Sequence, residues 1–119
     1  MGEFKVTVNI SSLNGKRRSA SIRLLVDTGA TLAVVPSLVL KRLGVTPLDT
    51  TTVVLADGRE VQRKLGEARF EIEGHSAPAL VVFGESTDEP VLGVTILEQI
   101  RLGVDPVRRR LVPARLLYV

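Results

Sequence analysis

Apolar and polar residues alternate along much of the chain, and this alternation predicts strands rather than helices. Phe, Val and Ile occupy every second position of residues 4–10, FKVTVNI, so this strand has one apolar face. Residues 19–26, SASIRLLV, predict a second strand that returns alongside the first. Residues 31–36, TLAVVP, predict a third strand, which ends at its proline.

Pairs of turn residues separate the apolar runs and predict hairpins. Asn-Gly and Asp-Gly pairs between apolar runs are strong signals for a two-residue hairpin turn. The predicted turns lie at Asn14-Gly15, at Asp57-Gly58 and, within EARFEIEGHSAPALVVF of residues 67–83, at Gly74-His75.

Two short helices interrupt the strand pattern. In SLVLKRLGV the apolar positions have helical spacing, with Ser37 as the predicted N-cap and Gly44 at the C-terminal end. The segment VLGVTILEQIRLGV predicts a strand, a glycine and a second short helix, in which Thr95 and Glu98 have capping-box spacing.

A short internal repeat relates the two helical segments. The tetrapeptide RLGV occurs at residues 42–45 and again at residues 101–104, each time after a predicted helix. Each helix follows an apolar strand that contains a glycine, LLVDTGA or PVLGVT, and only the first of these carries an Asp. With final strands in residues 107–113 and 115–119, the pattern predicts an all-β domain over residues 1–119, mainly strands with one or two short helices.

Composition narrows the possible classes of function. Apolar residues make up 45% of the chain, which favours a packed core over disorder. The chain has no cysteine and one histidine, His75, so thiol catalysis and Cys- or His-based metal sites have little basis, and no cofactor or metal is expected. Neither a signal peptide nor a membrane-spanning run is evident, so we expect a cytoplasmic protein that binds no membrane.

The charge distribution is compatible with nucleic-acid binding but does not favour it. The net charge is +3, and the basic residues concentrate in two triplets, Lys16-Arg17-Arg18 and Arg108-Arg109-Arg110, where turns are predicted. Single-strand binders combine a basic groove with stacking aromatic side chains, and this chain is only 3% aromatic. We therefore expect no nucleic-acid partner; the alternative predicts steeply salt-dependent retention on DNA or RNA.

The candidate chemistry lies in residues 23–36, RLLVDTGATLAVVP, where Asp27 sits between apolar runs. Asp and Gly are ordinary turn residues, but this turn has apolar flanks, so the carboxylate lies at or near a core. A carboxylate in such a place needs partners. Main-chain N–H groups around Gly29 can supply them, and the Thr28 hydroxyl can lock the turn. One carboxylate cannot act as acid and base in a single step, however, so catalysis needs a second.

Two-fold symmetry can supply that second carboxylate, because a residue near a dimer axis meets its own copy. Two Asp27 side chains would then share one proton. The ionised carboxylate would activate a water molecule, and the protonated one would polarise a peptide carbonyl, as in the aspartic proteases that illustrate such dyads. Peptide hydrolysis by this route needs no covalent intermediate.

The segments that carry this pattern resemble those of retroviral-type aspartic proteases, the retropepsins, and most closely the small prokaryotic members. LLVDTGATLAVVP is similar to their active-site segment, VLADGREV to their flap hairpin, and EPVLGVTILEQIRLGVDPVRRRLVP to their closing segment. The resemblance implies a closed acid-protease barrel, a homodimer and a peptide or protein substrate. It also implies that the first and last strands, near residues 4–8 and 116–119, pair between subunits.

The resemblance assigns roles to particular residues. Asp27 would be the catalytic carboxylate, Thr28 would bond across the axis, and Gly29 would align the turn. The residues implied in substrate binding are Ala30 and Thr31 in the same turn, Ala56, Asp57 and Gly58 at the flap tip, and Leu92 and Gly93 in the matching turn of the second half. From their pattern, Val34, Val53, Leu55, Val82 and Ile96 are candidates for apolar pockets.

The sequence thus predicts a homodimeric aspartic endopeptidase. The alternative is a module that keeps the fold for dimerisation or peptide binding without turnover. Retention of the Asp-Thr-Gly triplet favours the enzyme. The sequence departs from the viral pattern in having one flap glycine, Gly58, beside charged residues, and in having Thr31 where viral members often carry Asp.

Overall fold

The computed structural model describes residues 3–13 and 18–114, which form a mainly β structure. Two short helices, α1 (Ser37–Arg42) and α2 (Val94–Gln99), lie among the strands. The strands are β1 (Lys5–Ser11), β2 (Ser19–Val26), β3 (Ala33–Pro36), β4 (Asp49–Val54), β5 (Glu60–Ile72), β6 (His75–Gly84), β7 (Val91–Leu92), β8 (Leu102–Asp105) and β9 (Arg110–Pro113). The all-β prediction with two short helices is confirmed.

The large sheet returns to its own first strand. Its order is β1-β2-β7-β3-β6-β5-β4, and β1 also pairs with β5, so the hydrogen-bonded strands form a ring and β4 lies outside it. The β1–β5 contact is short, running from Asn9↔Glu71 to Ser11↔Arg69. Strands β8 and β9 form a separate hairpin. This ring is consistent with the closed barrel that the resemblance implies.

Alternating residues of the strands fill the interior of the ring. In β5, Ala68, Phe70 and Ile72 are buried while the intervening charged residues are exposed. The core also takes its largest fully buried aliphatic side chains from several elements: Ile10, Leu24, Leu40, Leu92, Ile96 and Ile100. Since apolar burial is the main stabilising contribution to folding, this shared core fixes the register of the strands around the ring.

The predicted hairpins form, but one described turn differs from the prediction in length and the other in position. The β4–β5 turn spans residues 56–58: the Leu55 N–H donates to Arg59 O at 2.8 Å, and Gly58 has φ +88. This is a three-residue loop with its glycine in the left-handed region. The β5–β6 turn consists of Glu73 and Gly74, both with positive φ, so the predicted Gly74-His75 position is wrong by one residue. The Asn14-Gly15 turn lies outside the described residues.

The helix ends show one confirmed feature and two corrections. Gly44 has φ +83 and donates its N–H to Lys41 O, so it ends α1 as predicted. Ser37 is the first helical residue rather than the N-cap, which is Pro36, and no side chain caps the helix. Helix α2 begins at Val94 after Gly93, so Thr95 and Glu98 form no capping box.

The two RLGV copies do not share a conformation. In the first copy the glycine, Gly44, has φ +83. In the second copy Arg101 is the left-handed residue, with φ 60, and Gly103 lies in β8. The relation between the halves is clearer in the sheet, where β2 and β7 pair in parallel through Leu25↔Val91 and Val26↔Leu92. Within the described residues, no helix combines the length and the apolar character needed to cross a membrane.

Candidate active site

The half-buried Asp27 directly follows β2 and is fixed by main-chain hydrogen bonds. The Gly29 N–H donates to Asp27 Oδ1 at 2.9 Å, and the Ala30 N–H donates to the Asp27 carbonyl at 3.1 Å. A Cβ at Gly29 would lie 3.2 Å from Asp27 Oδ1, so the small residue leaves room for the carboxylate. The second oxygen, Oδ2, accepts no hydrogen bond from the described residues. The carboxylate is therefore held by one oxygen and available through the other.

The second half of the chain holds this turn through main-chain hydrogen bonds. The Asp27 N–H donates to Leu92 O at 3.2 Å, and the first two N–H groups of α2, from Val94 and Thr95, donate to the carbonyls of Ala30 and Thr31 at 2.8 and 3.1 Å. These main-chain bonds take the place of the predicted capping box, because a helix start leaves its first N–H groups without partners inside the helix.

Gly93 lets the two turns approach each other closely. A Cβ at this position would lie 2.5 Å from Leu32 O, which is closer than van der Waals contact allows. Leu92 is fully buried, so its side chain belongs to the core and its carbonyl holds Asp27 in place. Both residues thus lie at the matching turn of the second half.

Two cavities adjoin the turn and share an apolar wall. The larger, of about 460 Å³, extends to the β4–β5 turn and to residues 87–89. The smaller, of about 360 Å³, extends to Gly29, Thr31, Thr51 and Thr52. The residues that line both are Ala30, Val34, Val53, Val54 and Val82. Apolar walls with a few polar groups are typical of ligand sites.

The tip of the β4–β5 hairpin is shaped by a local ion pair. Asp57 accepts the Arg59 main-chain N–H at 3.0 Å and the Arg59 Nε at 2.7 Å. These hydrogen bonds, the main-chain bond above all, hold the pKa of Asp57 below its ordinary value. Both side chains are exposed, so the pair contributes little to stability and mainly orders the turn.

Five of the ten predicted site residues line these cavities, while Asp27, Leu92 and Gly93 line neither. Ala30, Ala56 and Asp57 line the larger cavity, and Gly29, Ala30 and Thr31 line the smaller. Thr28 is exposed beside Asp27, and its hydroxyl makes no hydrogen bond to the described residues. Gly58 is exposed at the hairpin tip and lines neither cavity.

The candidates for apolar pockets divide into two groups. Four of them line a cavity: Val34, Val53, Leu55 and Val82. Ile96 does not, because it is fully buried in the core as part of α2, and its assignment to a pocket is wrong. His75 is half-buried at the start of β6, opposite Ile72, and lines neither cavity. The described residues contain no group of three or more His, Asp or Glu arranged to hold a metal ion.

Sequence reasoning missed several residues of the larger cavity, among them Arg63 and Asp88. Arg63 donates from Nε to Asp88 Oδ2 at 2.7 Å and from Nη2 to Oδ1 at 3.0 Å. Hydrogen bonds from Arg63 lower the pKa of Asp88, although its burial opposes this effect. The two residues lie 25 positions apart, in a strand and in a loop, so local spacing gave no signal of the contact.

Comparisons with known proteins agree with this architecture. The sequence profile of the Aspartyl protease family matches residues 6–96, which include the Asp27 turn, the β4–β5 hairpin and the second turn. The EIAV protease complexed with the inhibitor HBY-793 superposes with a TM-score of 0.58 at 20% identity, covering 82% of this chain and 86% of its own. The simian foamy virus (mac) protease superposes with a TM-score of 0.56 at 21% identity, covering 80% and 92%.

No curated protein matches the sequence. The structural similarities show the fold, which is that of the retroviral proteases, and the family match spans most of the chain. This chain therefore belongs to the aspartyl protease family.

Proposed function

We propose that this chain is an aspartic endopeptidase that works as a homodimer, with two copies of Asp27, one from each subunit, forming the catalytic pair. The observation that carries the proposal is the Asp27 carboxylate itself. One oxygen is fixed by the Gly29 N–H, the other accepts no hydrogen bond from the described residues, and the turn leads into two cavities. A carboxylate held in this way is oriented and still able to exchange a proton.

A second subunit would supply the second carboxylate that the proposed reaction needs. Three acidic residues line the larger cavity. Asp57 and Asp88 are occupied in ion pairs with Arg59 and Arg63, and Glu89 is exposed in the loop of residues 85–89. A copy of Asp27 across a two-fold axis meets the requirement, because two like charges a few ångströms apart favour a shared proton. Thr28 is exposed beside Asp27, which supports its proposed bond across the axis.

The proposed reaction is direct attack of water on the peptide carbonyl. The ionised Asp27 takes a proton from the water, whose oxygen bonds to the carbonyl carbon, while the protonated copy donates a hydrogen bond to the carbonyl oxygen. Collapse of the tetrahedral intermediate breaks the C–N bond, and a carboxyl proton passes to the leaving nitrogen. Gly29 aligns the turn, and no covalent bond forms between enzyme and substrate.

The substrate in this proposal is a peptide with apolar side chains beside the scissile bond. The wall shared by both cavities consists of small aliphatic side chains, with Val34, Val53 and Val82 prominent among them. Burying apolar substrate groups there favours binding by roughly 25 cal/mol per Å². The tip of the β4–β5 hairpin, with Ala56, Asp57 and Gly58, would cover the bound peptide.

The free edge of β1 supports pairing between subunits. The amino-terminal part of β1 pairs with β2 on one side, and its contact with β5 begins only at Asn9. Among the described residues, no strand pairs with the other edge over residues 5–8. An open edge of this kind is available to a strand of a second copy. The proposed partner segment, residues 116–119, lies outside the described residues.

The test is cleavage of a peptide library from acidic to neutral pH by the wild-type chain and by Asp27→Asn. The variant should lose at least about 10²-fold in rate, because it removes the acid–base group while keeping the shape of the side chain. Asp49→Asn is the matched control, since Asp49 also accepts a nearby main-chain N–H, from Thr50, but lines neither cavity. It should cleave like the wild type.

The mass in solution completes the test. Wild type and Asp27→Asn should both be dimers under the assay conditions. Cleavage that survives in Asp27→Asn, or activity that resides in a single subunit, would contradict the proposed pair. A folded dimer without Asp27-dependent product at any pH would instead identify a binding or dimerisation module.

A further inference from the structure

The ion pair between Arg63 and Asp88 differs from the other ion pairs of the described residues in being largely buried. Its side chains are 13% and 11% exposed, whereas those of Arg59 and Asp57 are 70% and 56% exposed. The contact is bidentate, and Asp88 Oδ2 also accepts the Glu85 main-chain N–H at 2.7 Å. Bidentate guanidinium–carboxylate contacts fix direction as well as distance.

This pair lies where the β4–β5 hairpin leaves the rest of the sheet. Strand β5 pairs with β6 only as far as Leu65↔Val82, and the residues before Leu65 pair with β4 alone. Arg63 is two residues beyond that last contact, on the part of β5 that projects towards the tip. The base of the hairpin is therefore the point at which a contact with another element limits its movement.

Asp88 lies in the loop of residues 85–89, between β6 and β7. The main-chain bonds of this region stay within the loop, as in Asp88 N–H to Glu85 O, or lead to β2, as in Leu25 N–H to Pro90 O. In the part of the chain that the structure describes, the Arg63–Asp88 contact is the one hydrogen-bonded link between this loop and the hairpin.

We propose that Arg63 and Asp88 are positioning residues that lock the base of the β4–β5 hairpin to the loop of residues 85–89 and thereby fix the outer wall of the larger cavity. Both residues line that cavity, together with Ala30 and the hairpin tip. The loop runs on into β7, whose Leu92 O accepts the Asp27 N–H. This inference rests on the proposed function, because it takes the cavity to be the place where the peptide binds.

The charges around the pair suit such a lock. Asp88 faces Arg63 and, further away, Arg59, while Glu85 adds attraction for Arg63 from the loop side. Glu89 also lines the cavity. Two apolar side chains in place of Arg63 and Asp88 would stabilise the fold about as well. Their contact would have no preferred direction, however, so the hairpin and the loop of residues 85–89 could shift relative to each other. The planar guanidinium allows one arrangement and resists displacement.

The test combines steady-state kinetics with hydrogen exchange on the full chain. Asp88→Asn keeps an acceptor for the Glu85 N–H and removes the charge that holds Arg63. We expect KM for a cleaved peptide to rise about tenfold with kcat within about threefold of the wild-type value, the pattern of lost binding rather than lost chemistry. Amides of β4 and of residues 60–64 should exchange about tenfold faster, and those of β1 and β2 should not change.

Two further variants separate positioning from general destabilisation. Asp105→Asn is the matched control, because Asp105 pairs with Arg108 and accepts main-chain N–H groups in the β8–β9 turn, away from both cavities. It should leave KM and the exchange of the β4–β5 hairpin unchanged. Arg63→Gln combined with Asp88→Asn should be no worse than either single change, since both remove the same contact.

The outcomes are distinct. If Asp88→Asn lowers stability while KM and hairpin exchange stay at wild-type values, the pair is only a structural contact and the inference is wrong. If Asp88→Asn does not fold, Arg63→Lys, which keeps the charge but not the bidentate contact, replaces it in both measurements. If the wild type shows no Asp27-dependent cleavage, the proposed function fails, and hydrogen exchange alone decides whether the pair locks the hairpin.

Discussion

Replacing Gly93 with alanine tests how closely the two turns must approach each other. Gly93 has φ −86 and ψ 170, an extended conformation that any residue adopts. The substitution therefore introduces no backbone strain of the kind that affects left-handed glycines. Its effect comes from the added methyl group alone, which makes it a clean test of the contact between the turn after β2 and the start of α2.

The structure gives the size of this effect. The new Cβ would lie 2.5 Å from Leu32 O, 2.6 Å from Leu32 C and 3.0 Å from Ala30 O, all of them backbone atoms that cannot rotate away. Since ordinary contacts need roughly 3.5 Å, the turn would have to move by about 1 Å. Overpacking and the weakened Val94–Ala30 hydrogen bond together should lower the free energy of unfolding by about 2–4 kcal/mol.

The same movement should lower activity, because it displaces the turn that holds Asp27. A misplacement of about 1 Å can cost about 10²-fold in rate. Urea unfolding at a fixed protomer concentration measures the stability change, since the stability of a dimer depends on concentration. Cleavage of one peptide under conditions where each variant is folded measures the activity.

Gly103→Ala is the matched control for this substitution. Gly103 lies in β8, and a Cβ there would meet Ala114 Cβ at 3.6 Å and Val112 O at 4.0 Å, which are ordinary contacts. Its free energy of unfolding should change by less than about 0.5 kcal/mol. A Gly93→Ala variant as stable and active as the wild type would refute the steric argument, and equal losses in the two variants would show that the effect is not specific to the turns.

Two further predictions concern pH and the hairpin tip. The pKa of Asp88 is lowered in the folded state. Its ion pair therefore contributes its full stabilisation of the fold above the unfolded pKa of about 3.9, and this stabilisation is lost as pH falls through the lower folded pKa. The stability difference between wild type and Asp88→Asn, measured by urea unfolding, should therefore be constant from pH 7 to 5 and shrink below pH 4. An increase of this difference below pH 4 would contradict a lowered pKa of Asp88. Gly58→Ala should lose about 1–2 kcal/mol in the same assay, because Gly58 has φ +88 while a Cβ would meet nothing within 4 Å. Gly58→Asn should lose less, and equal losses would argue against backbone strain.

The sequence was sufficient to locate most of the described strands because their signal is local, although β8 was not predicted. The predicted span of residues 19–26 coincides with β2, and β5 shows the expected alternation of buried and exposed residues. The two hairpin turns that can be compared were predicted to within one residue, but with the wrong details. Two-residue and three-residue loops use the same Asp-Gly signal, and the choice between them depends on how the strands pair across the hairpin.

Features that depend on distant parts of the chain could not be predicted. Thr95 and Glu98 have the spacing of a capping box, but the carbonyls of Ala30 and Thr31 accept the N–H groups of α2 instead. Ile96 looks like any other apolar residue in the sequence, and only the packing of α2 places it in the core rather than at a cavity. The Arg63–Asp88 contact likewise arises from the fold, because nothing near either residue in sequence points to the other.

The contacts made by the second half of the chain support the proposal that one chain supplies only half of the catalytic site. The Leu92 carbonyl accepts the Asp27 N–H, and the first N–H groups of α2 donate to carbonyls of the first turn. Gly93 has no side chain, which lets the Leu32 carbonyl lie close to it. These groups of the second turn are thus engaged in holding the first turn, and the segment PVLGVT contains no acidic residue. A carboxylate in place of Gly93 would clash with the backbone of the turn it would have to assist. The proposed homodimer would bring a second copy of the first turn, and with it a second carboxylate, to Asp27 while leaving these supporting contacts intact.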